Sequence, residues 1–432
     1  VIYISFGSGV HRSLEELQET ERVILKKHEE KYQVHSNFTF IKDRFMDLIE
    51  KIYQKYGQKV VVLIDEYDKP VLDNIEKKET AIEMREELKN FYSVLKDADP
   101  YLKFVFITGV TKFSKVSLFS GLNNLKDITI HPEYATICGY TQGEFEKVFA
   151  DRLEGLDLEK VRRWYNGYSW LGEPVYNPFD ILLFLDLREF RPFWFETGTP
   201  TFLIKLLLER NFYLPSLEDL DAGEELLNSF DIDEIELETL LFQTGYLTIK
   251  HQEEIGDTRI YHLSYPNLEV KSSLHKRILT KILGSISRKD KHLISTYRLL
   301  IKGDIEKLAQ VFKSFFASIP HDWYRKTELH HYEGFYASVL YAYFAALGLE
   351  LRVEEAVSHG RIDLTIIFEN KCYLFEFKVV EIEPQGKALE QLKARKYYEK
   401  YIGRYQEVYL IGVEFSKKER NIVCFEWEKV KS

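Results

Sequence analysis

Cysteine is scarce in this chain. Its three residues, Cys138, Cys372 and Cys424, are too few and too scattered for a zinc site or a disulfide framework. Each sits in an apolar, β-like context, so each is expected as a buried free thiol of a cytoplasmic protein kept in a reducing compartment. Long apolar runs are missing as well. A membrane helix needs about 18 uninterrupted apolar residues, and the richest stretch, residues 181–187, is far shorter, so no membrane partner is expected. An excess of positive charge is also lacking. Lys and Arg number 59 against 69 Asp and Glu, a net charge of −10, which argues against a protein that coats nucleic acid indiscriminately. Gly and Pro are ordinary at 22 and 11, and no segment repeats or is of low complexity, which excludes collagen-like and disordered readings. Finally, no Gly-x-x-x-x-Gly-Lys-Ser/Thr occurs, so nothing in this sequence cradles nucleotide phosphates.

What is present is ample core material for two to four domains: 45% hydrophobic and 30% charged residues over 432 positions. The chain opens on Val1 inside a strand-like run, Val1-Ile2-Tyr3-Ile4-Ser5-Phe6, and an upstream segment is therefore expected. Residues 1–140 alternate apolar strands (1–6, 60–64, 104–108, 128–130) with amphipathic helices (13–31, 38–56, 80–98), the pattern of a parallel α/β sheet. Residues 141–320 read as mostly helical, with a strand at 246–250 pairing with 258–263 across a turn at Gly256. Residues 321–432 return to helix, three strands, helix, strand. Charge is uneven. Ten acids and no bases fall in 218–238, whereas nine bases and one acid fall in 271–302 and six bases and two acids in 385–404. Such runs are mostly solvated helix faces.

In the N-terminal part, Val60-Val61-Val62-Leu63-Ile64-Asp65-Glu66 is an apolar strand ending in two acids. In nucleotide-hydrolysing α/β proteins the first acid of such a pair holds Mg²⁺ through water and the second orients the attacking water. Asp65 and Glu66 are candidates for those roles, with Thr108 at the end of the next strand as a γ-phosphate sensor. An acidic pair capping the following helix is the competing reading.

The sharper constellation is C-terminal: Gly360-Arg361-Ile362-Asp363, then Phe375-Glu376-Phe377-Lys378. With Asn370-Lys371 as the hairpin loop, Asp363 falls opposite Lys378 and on the same sheet face as Glu376. A four-residue loop keeps that pairing, and an odd loop would throw Asp363 to the other face. Two converging carboxylates repel unless a divalent cation neutralises them, and Mg²⁺ there would polarise a phosphodiester and activate water. Lys378 would help to position that water or stabilise charge on the phosphate. A surface hairpin with a Lys–Asp cross-strand pair is the bland alternative. Glu333, in a helix expected over residues 331–347, and the basic helix 387–401, with Gln391, Ala394, Arg395 and Tyr398 on one face, flank the hairpin.

Several linked runs resemble a known family. Leu63-Ile64-Asp65-Glu66-Tyr67-Asp68-Lys69-Pro70 resembles the Walker B segment of the predicted AAA-ATPase-like family, and Phe106 to Lys115 with Leu118 to Asn124 resembles its sensor region. Trp164-Tyr165-Asn166-Gly167-Tyr168, Val175-Tyr176-Asn177-Pro178 and Glu196-Thr197-Gly198-Thr199-Pro200 are similar to its helical part. Phe242-Gln243-Thr244-Gly245-Tyr246-Leu247 and Tyr265-Pro266-Asn267 are similar to its winged-helix-like segment. The tail, from about Glu328 to Trp427, resembles the PD-(D/E)XK nuclease domain fused to that ATPase. The resemblance implies an ATPase-like α/β domain (1–140), a helical and winged-helix-like region (141–320) and a restriction-endonuclease-like αβββαβ domain (321–432). It places metal ligands on Asp363 and Glu376, the catalytic lysine on Lys378, and supporting roles on Gln391 and Glu333. The implied activity is Mg²⁺-dependent cleavage of nucleic acid, DNA first, with ATP used only where a phosphate loop is supplied. Self-association stays open. Where some nucleases of the superfamily have a tyrosine four residues after the helical glutamine, Arg395 stands. The alternative is a nucleotide-switched protein that binds nucleic acid without cutting it, and a blander one is a protein–protein adaptor docking through the acidic segment.

Overall fold

A computed structural model describes the chain apart from residues 113–121, 123, 199–200, 225–226, 228–234, 321–332, 358–359 and 431–432. The side chains of 196–198, 201, 354–357, 360, 361 and 397 are likewise outside the description. Parts of the sensor-like run, Thr199-Pro200, much of the acidic segment, Glu328 and the expected helix start at His331 therefore lie outside the described residues. The chain forms two compact units: Val1–Ala135 with Asp221–Leu247 and His251–Tyr261, and Thr136–Leu220 with Thr248–Lys250 and His262–Ser432.

The first unit is built on a parallel three-stranded sheet, Ile2–Ser5, Val60–Asp65 and Leu102–Ile107 in that order, with Val60–Asp65 central. Its register sets Ser5 beside Asp65 and Ile64 beside Ile107, so the carboxyl ends of all three strands share one edge. Helices Leu14–Tyr32 and Ile41–Tyr56 follow the expected periodicity, the first capped by the Ser13 side chain accepting from Glu16 N. The run 80–98 is not one helix. It divides into Lys78–Tyr92 and Val94–Asp97, with Ser93 Oγ bonded back to Asn90 O at 2.7 Å. The strand expected at 128–130 is a turn, because Asp127 accepts the Thr129 N–H at 3.0 Å and Pro132 follows.

In the second unit, short strands Tyr140–Thr141, Val175–Tyr176 and Asn166–Tyr168 make a small antiparallel sheet that the helical reading of 141–320 did not include. Cys138 corrects another expectation. It lies exposed in a bend, whereas Cys372 is buried and Cys424 half-buried. The C-terminal part is a five-stranded mixed sheet in sequential order: Glu350–Val357, Gly360–Phe368, Lys371–Val380, Glu407–Ser416 and Asn421–Val430. The third and fourth strands are parallel, joined across helix Lys387–Ala394, and the other pairs are antiparallel. The closing strand Asn421–Val430 is one more than the expected αβββαβ order. Helix Glu333–Ala346 is apolar on all sides, and everything from Tyr336 onward is buried. Tyr336 stacks on Phe415 at 4.2 Å and Phe344 meets Phe375 at 5.5 Å on the sheet side, while Tyr343 meets Phe312 and Phe315 behind it. The opposite sheet face carries the site. Among the described residues no helix is long and apolar enough to cross a membrane.

Candidate active site

The hairpin turns at Glu369-Asn370, with Glu369 in the left-handed region at φ 53, and pairs Leu364 with Phe375 and Phe368 with Lys371. The loop is one residue earlier than Asn370-Lys371, so the pairing shifts by two, and that register carried one step beyond Leu364 would set Asp363 opposite Glu376, not Lys378. The shift keeps the parity of the pairing, and Asp363 and Lys378 both lie close enough to Glu376 to act on its charge. The ladder ends at Leu364, and there the Asp363 carboxylate takes over the partner's role, accepting the Phe377 N–H at 2.8 Å.

Glu376 is only 1% exposed. Its Oε1 accepts from the Gln391 amide and lies 3.8 Å from the Lys378 ammonium. Its Oε2 is buried and, among the described residues, has no hydrogen-bond partner. Burial, then the neighbouring Asp363 carboxylate, push the Glu376 pKa up to about 8 against the pull of Lys378 and Arg395. Glu333, at the start of its helix, reaches the same place. Burial raises its pKa, while Lys378 and a hydrogen bond from the Val379 backbone oppose the rise. Asp363, Glu376, Lys378, Gln391 and Glu333 thus come together. Arg395, noted in the sequence as a departure from a tyrosine, sits close enough to Glu376 to favour its charged form.

In the first unit, Thr108 Oγ1 donates to Asp65 Oδ1 at 2.8 Å and the Tyr3 hydroxyl donates to Oδ2 at 3.1 Å. Glu66 adopts the left-handed conformation at φ 53, and its carboxylate lies over Gly7. Sequence reasoning missed Asp68, which is fully buried. Its carboxylate accepts from Val110 N (3.1 Å), Thr111 N (2.5 Å) and Thr111 Oγ1 (2.6 Å), tying the end of the second strand to the loop after the third. Gly109 belongs to that loop, where a Cβ would stand 2.4 Å from the Tyr67 ring and 2.5 Å from Asp68 Oδ1. Close behind, Gln243 Oε1 accepts the Lys112 N–H at 2.7 Å, bringing the Phe242-Gln243-Thr244 run into the same unit as the sensor-like loop.

Comparison with known proteins agrees with this division of chemistry. Residues 1–119 match the family model of a predicted AAA-ATPase, and residues 331–425 match that of the PD-(D/E)XK nuclease superfamily. The chain is also 50% identical over 425 residues to a protein of Azotobacter chroococcum mcd 1 described as an uncharacterized protein in the vnfD 5' region, covering 98% of this chain and 82% of that one. No solved structure matches. The chain belongs to the predicted AAA-ATPase-like family that carries a C-terminal PD-(D/E)XK nuclease superfamily domain.

Nucleases of this superfamily typically use divalent metal ions, and the superfamily implies a nucleic-acid substrate. The donor set of the nuclease domain fits such an ion. Glu376 is a buried carboxylate with one oxygen unclaimed and a raised pKa, faced by a second carboxylate, so a hard cation would satisfy the orphaned acceptor and relieve the repulsion together.

Proposed function

We propose that this protein is a metal-dependent nuclease that hydrolyses phosphodiester bonds of DNA with Mg²⁺, regulated or loaded by its AAA-ATPase-like part. The observation that carries the reading is the orphaned, buried Oε2 of Glu376 beside Lys378 and Asp363. Asp363 and Glu376 would hold the metal. When bound, it supplies a Lewis acid for the phosphodiester and lowers the pKa of a water. Gln391 fixes the Glu376 carboxylate, Lys378 places an ammonium beside it to stabilise charge developing on the phosphate, and Glu333 holds the lysine from the helix side. The reading extends to the chain's organisation, with the nuclease domain over 321–432 preceded by an ATPase-like domain over 1–140 and a helical, winged-helix-like region between. Asp65, Glu66 and Thr108 would serve ATP only alongside a phosphate-binding loop, which this sequence does not contain.

The test is cleavage of supercoiled and single-stranded DNA with Mg²⁺ or Mn²⁺ by wild type, Asp363→Ala and Lys378→Ala. Metal-dependent cutting should fall at least about a hundredfold in both variants, the scale of losing a positioned proton-transfer or charge-stabilising group. Retained DNA binding with no cutting by wild type under any metal would instead establish a binding protein.

A further inference from the structure

The helix that carries Gln391 is short, Lys387–Ala394, and it starts from Gly386 at φ 66 with no side-chain cap of its own. A helix of two turns with open N–H groups at its start has little stability in isolation. Something must hold it where Gln391 reaches Glu376. The neighbouring strand Glu407–Ser416 provides two devices. Parallel pairing sets Gly412 beside Glu376 and Glu414 beside Lys378, so both look toward the helix. Glu414 is 1% exposed, and both of its oxygens serve the helix entry. Oε2 accepts from Gln385 N at 2.6 Å and Oε1 from Lys387 N at 2.8 Å, a charge placed at the positive end of the helix. At Gly412 a Cβ would stand 2.3 Å from Leu389 N and 2.8 Å from Leu389 Cα. The helix backbone therefore lies directly on the strand, two residues before Gln391.

We propose that Glu414 and Gly412 are positioning residues of the nuclease site: they fix the start and height of helix Lys387–Ala394 and so hold the Gln391 amide on Glu376 Oε1, leaving Oε2 as the oxygen offered to the metal. This rests on the reading of the site as a metal-dependent nuclease. Neither residue is assigned contact with substrate or metal. Their effect passes through Gln391.

The experiment is Mn²⁺ binding to the full chain without substrate, by isothermal titration calorimetry, for wild type, Glu414→Gln, Gly412→Ala, Gln391→Ala and the Glu414→Gln/Gln391→Ala double variant. Asp363→Ala reports on the site itself. Glu414→Gln and Gly412→Ala should each weaken Mn²⁺ binding about tenfold, as loss of an outer partner of a metal ligand does. The double variant should bind no more weakly than Gln391→Ala alone, the mark of two residues acting through one path. Hydrogen exchange in the helix should rise in Glu414→Gln while the central strands stay protected. Additive losses in the double variant, or wild-type Mn²⁺ binding by both single variants, would overturn the proposal while Asp363→Ala still abolishes binding. Unchanged binding in Asp363→Ala would overturn the nuclease reading, and this proposal with it. Should Glu414→Gln fail to fold, the comparison is made with Gly412→Ala in the same double-variant scheme.

Discussion

Asp68, just beyond an apolar strand, and Glu376, within one, are both buried acids, one in each unit of the molecule. Their surroundings differ in what is left over. Asp68 receives two backbone N–H groups and a threonine hydroxyl, so both of its oxygens are used. Glu376 receives one amide, and its second oxygen has no hydrogen-bond partner among the described residues. A buried acid that is fully hydrogen-bonded ties loops together, whereas one with an unused acceptor needs a proton or a cation. Asp180 and Glu269 show a third solution. In this buried pair two carboxylates lie near one another, and burial raises both pKa values, to about 6 for Asp180 and, with Asp180 adding to the rise, to about 9 for Glu269.

The largest expected effect separates the first two acids by sign. Glu376→Gln should lower metal-dependent cleavage at least about a hundredfold, yet raise the melting temperature in metal-free buffer at neutral pH, because the amide is neutral in both states and spares the proton uptake that burial and Asp363 impose on Glu376 when the chain folds. Asp68→Asn should do the reverse for stability. Its amide NH₂ would face N–H donors, at a cost of about 1–3 kcal/mol, while the nuclease site keeps all its groups. Thermal unfolding and a cleavage assay on the two variants check both signs. Destabilisation by Glu376→Gln in metal-free buffer would remove the distinction.

Next in size is Gly109→Ala. The new methyl would overlap the Tyr67 ring and Asp68 Oδ1, and overpacking of this kind costs about 1–3 kcal/mol. Denaturant unfolding of the variant should show the loss, and an unaltered midpoint would mean that Tyr67 moves away freely.

The Asp180–Glu269 pair predicts a pH dependence. Burial first, and then Asp180 beside it, push Glu269 up to about 9 from its ordinary 4.5. The folded chain therefore holds a proton that the unfolded chain releases. The stability linked to it is complete below about pH 4.5 and is lost as pH rises through about 9. Glu269→Gln, which imitates the protonated acid, should flatten the fall in melting temperature between pH 7 and 10 by several degrees. Parallel curves for wild type and variant would show that the pair is ionised already.

Much of this was legible in the sequence because parity is robust. Reading the hairpin loop one residue late displaced every cross-strand pair by two, yet the faces of the paired residues 364–368 stayed as expected, since only an odd shift reverses a strand. The parallel order of the first sheet was likewise legible in apolar runs separated by helices. What the sequence hid were competitions settled by side chains. Ile128-Thr129-Ile130 alternates like a strand, but Asp127 claims the Thr129 N–H. Ser93 interrupts a periodic helix by bonding backward. Glu414 reads as one more polar residue in an apolar strand. Only the three-dimensional register, with Gly412 two residues before it, reveals that it faces a helix start. Asp68 follows the Asp65-Glu66 pair so closely that the motif concealed it.

The smallest effect probes Asp65, whose two oxygens are bonded by hydroxyls rather than by backbone. Tyr3 is 51% exposed, so water can replace its hydroxyl, and Tyr3→Phe should change stability by less than about 0.5 kcal/mol, below the usual net worth of a hydrogen bond. Thr108→Val should cost more, because Thr108 is only half-buried but sits at the strand end itself, where its Oγ1 also lies 3.4 Å from Ile64 O. The order of the two variants in thermal unfolding is the readout. If Tyr3→Phe proves the costlier, Asp65 is held from the outer strand and its carboxylate is a fixed part of the sheet edge. If Thr108→Val does, Asp65 keeps one oxygen within reach of solvent, as an acid must that is to bind an ion through water.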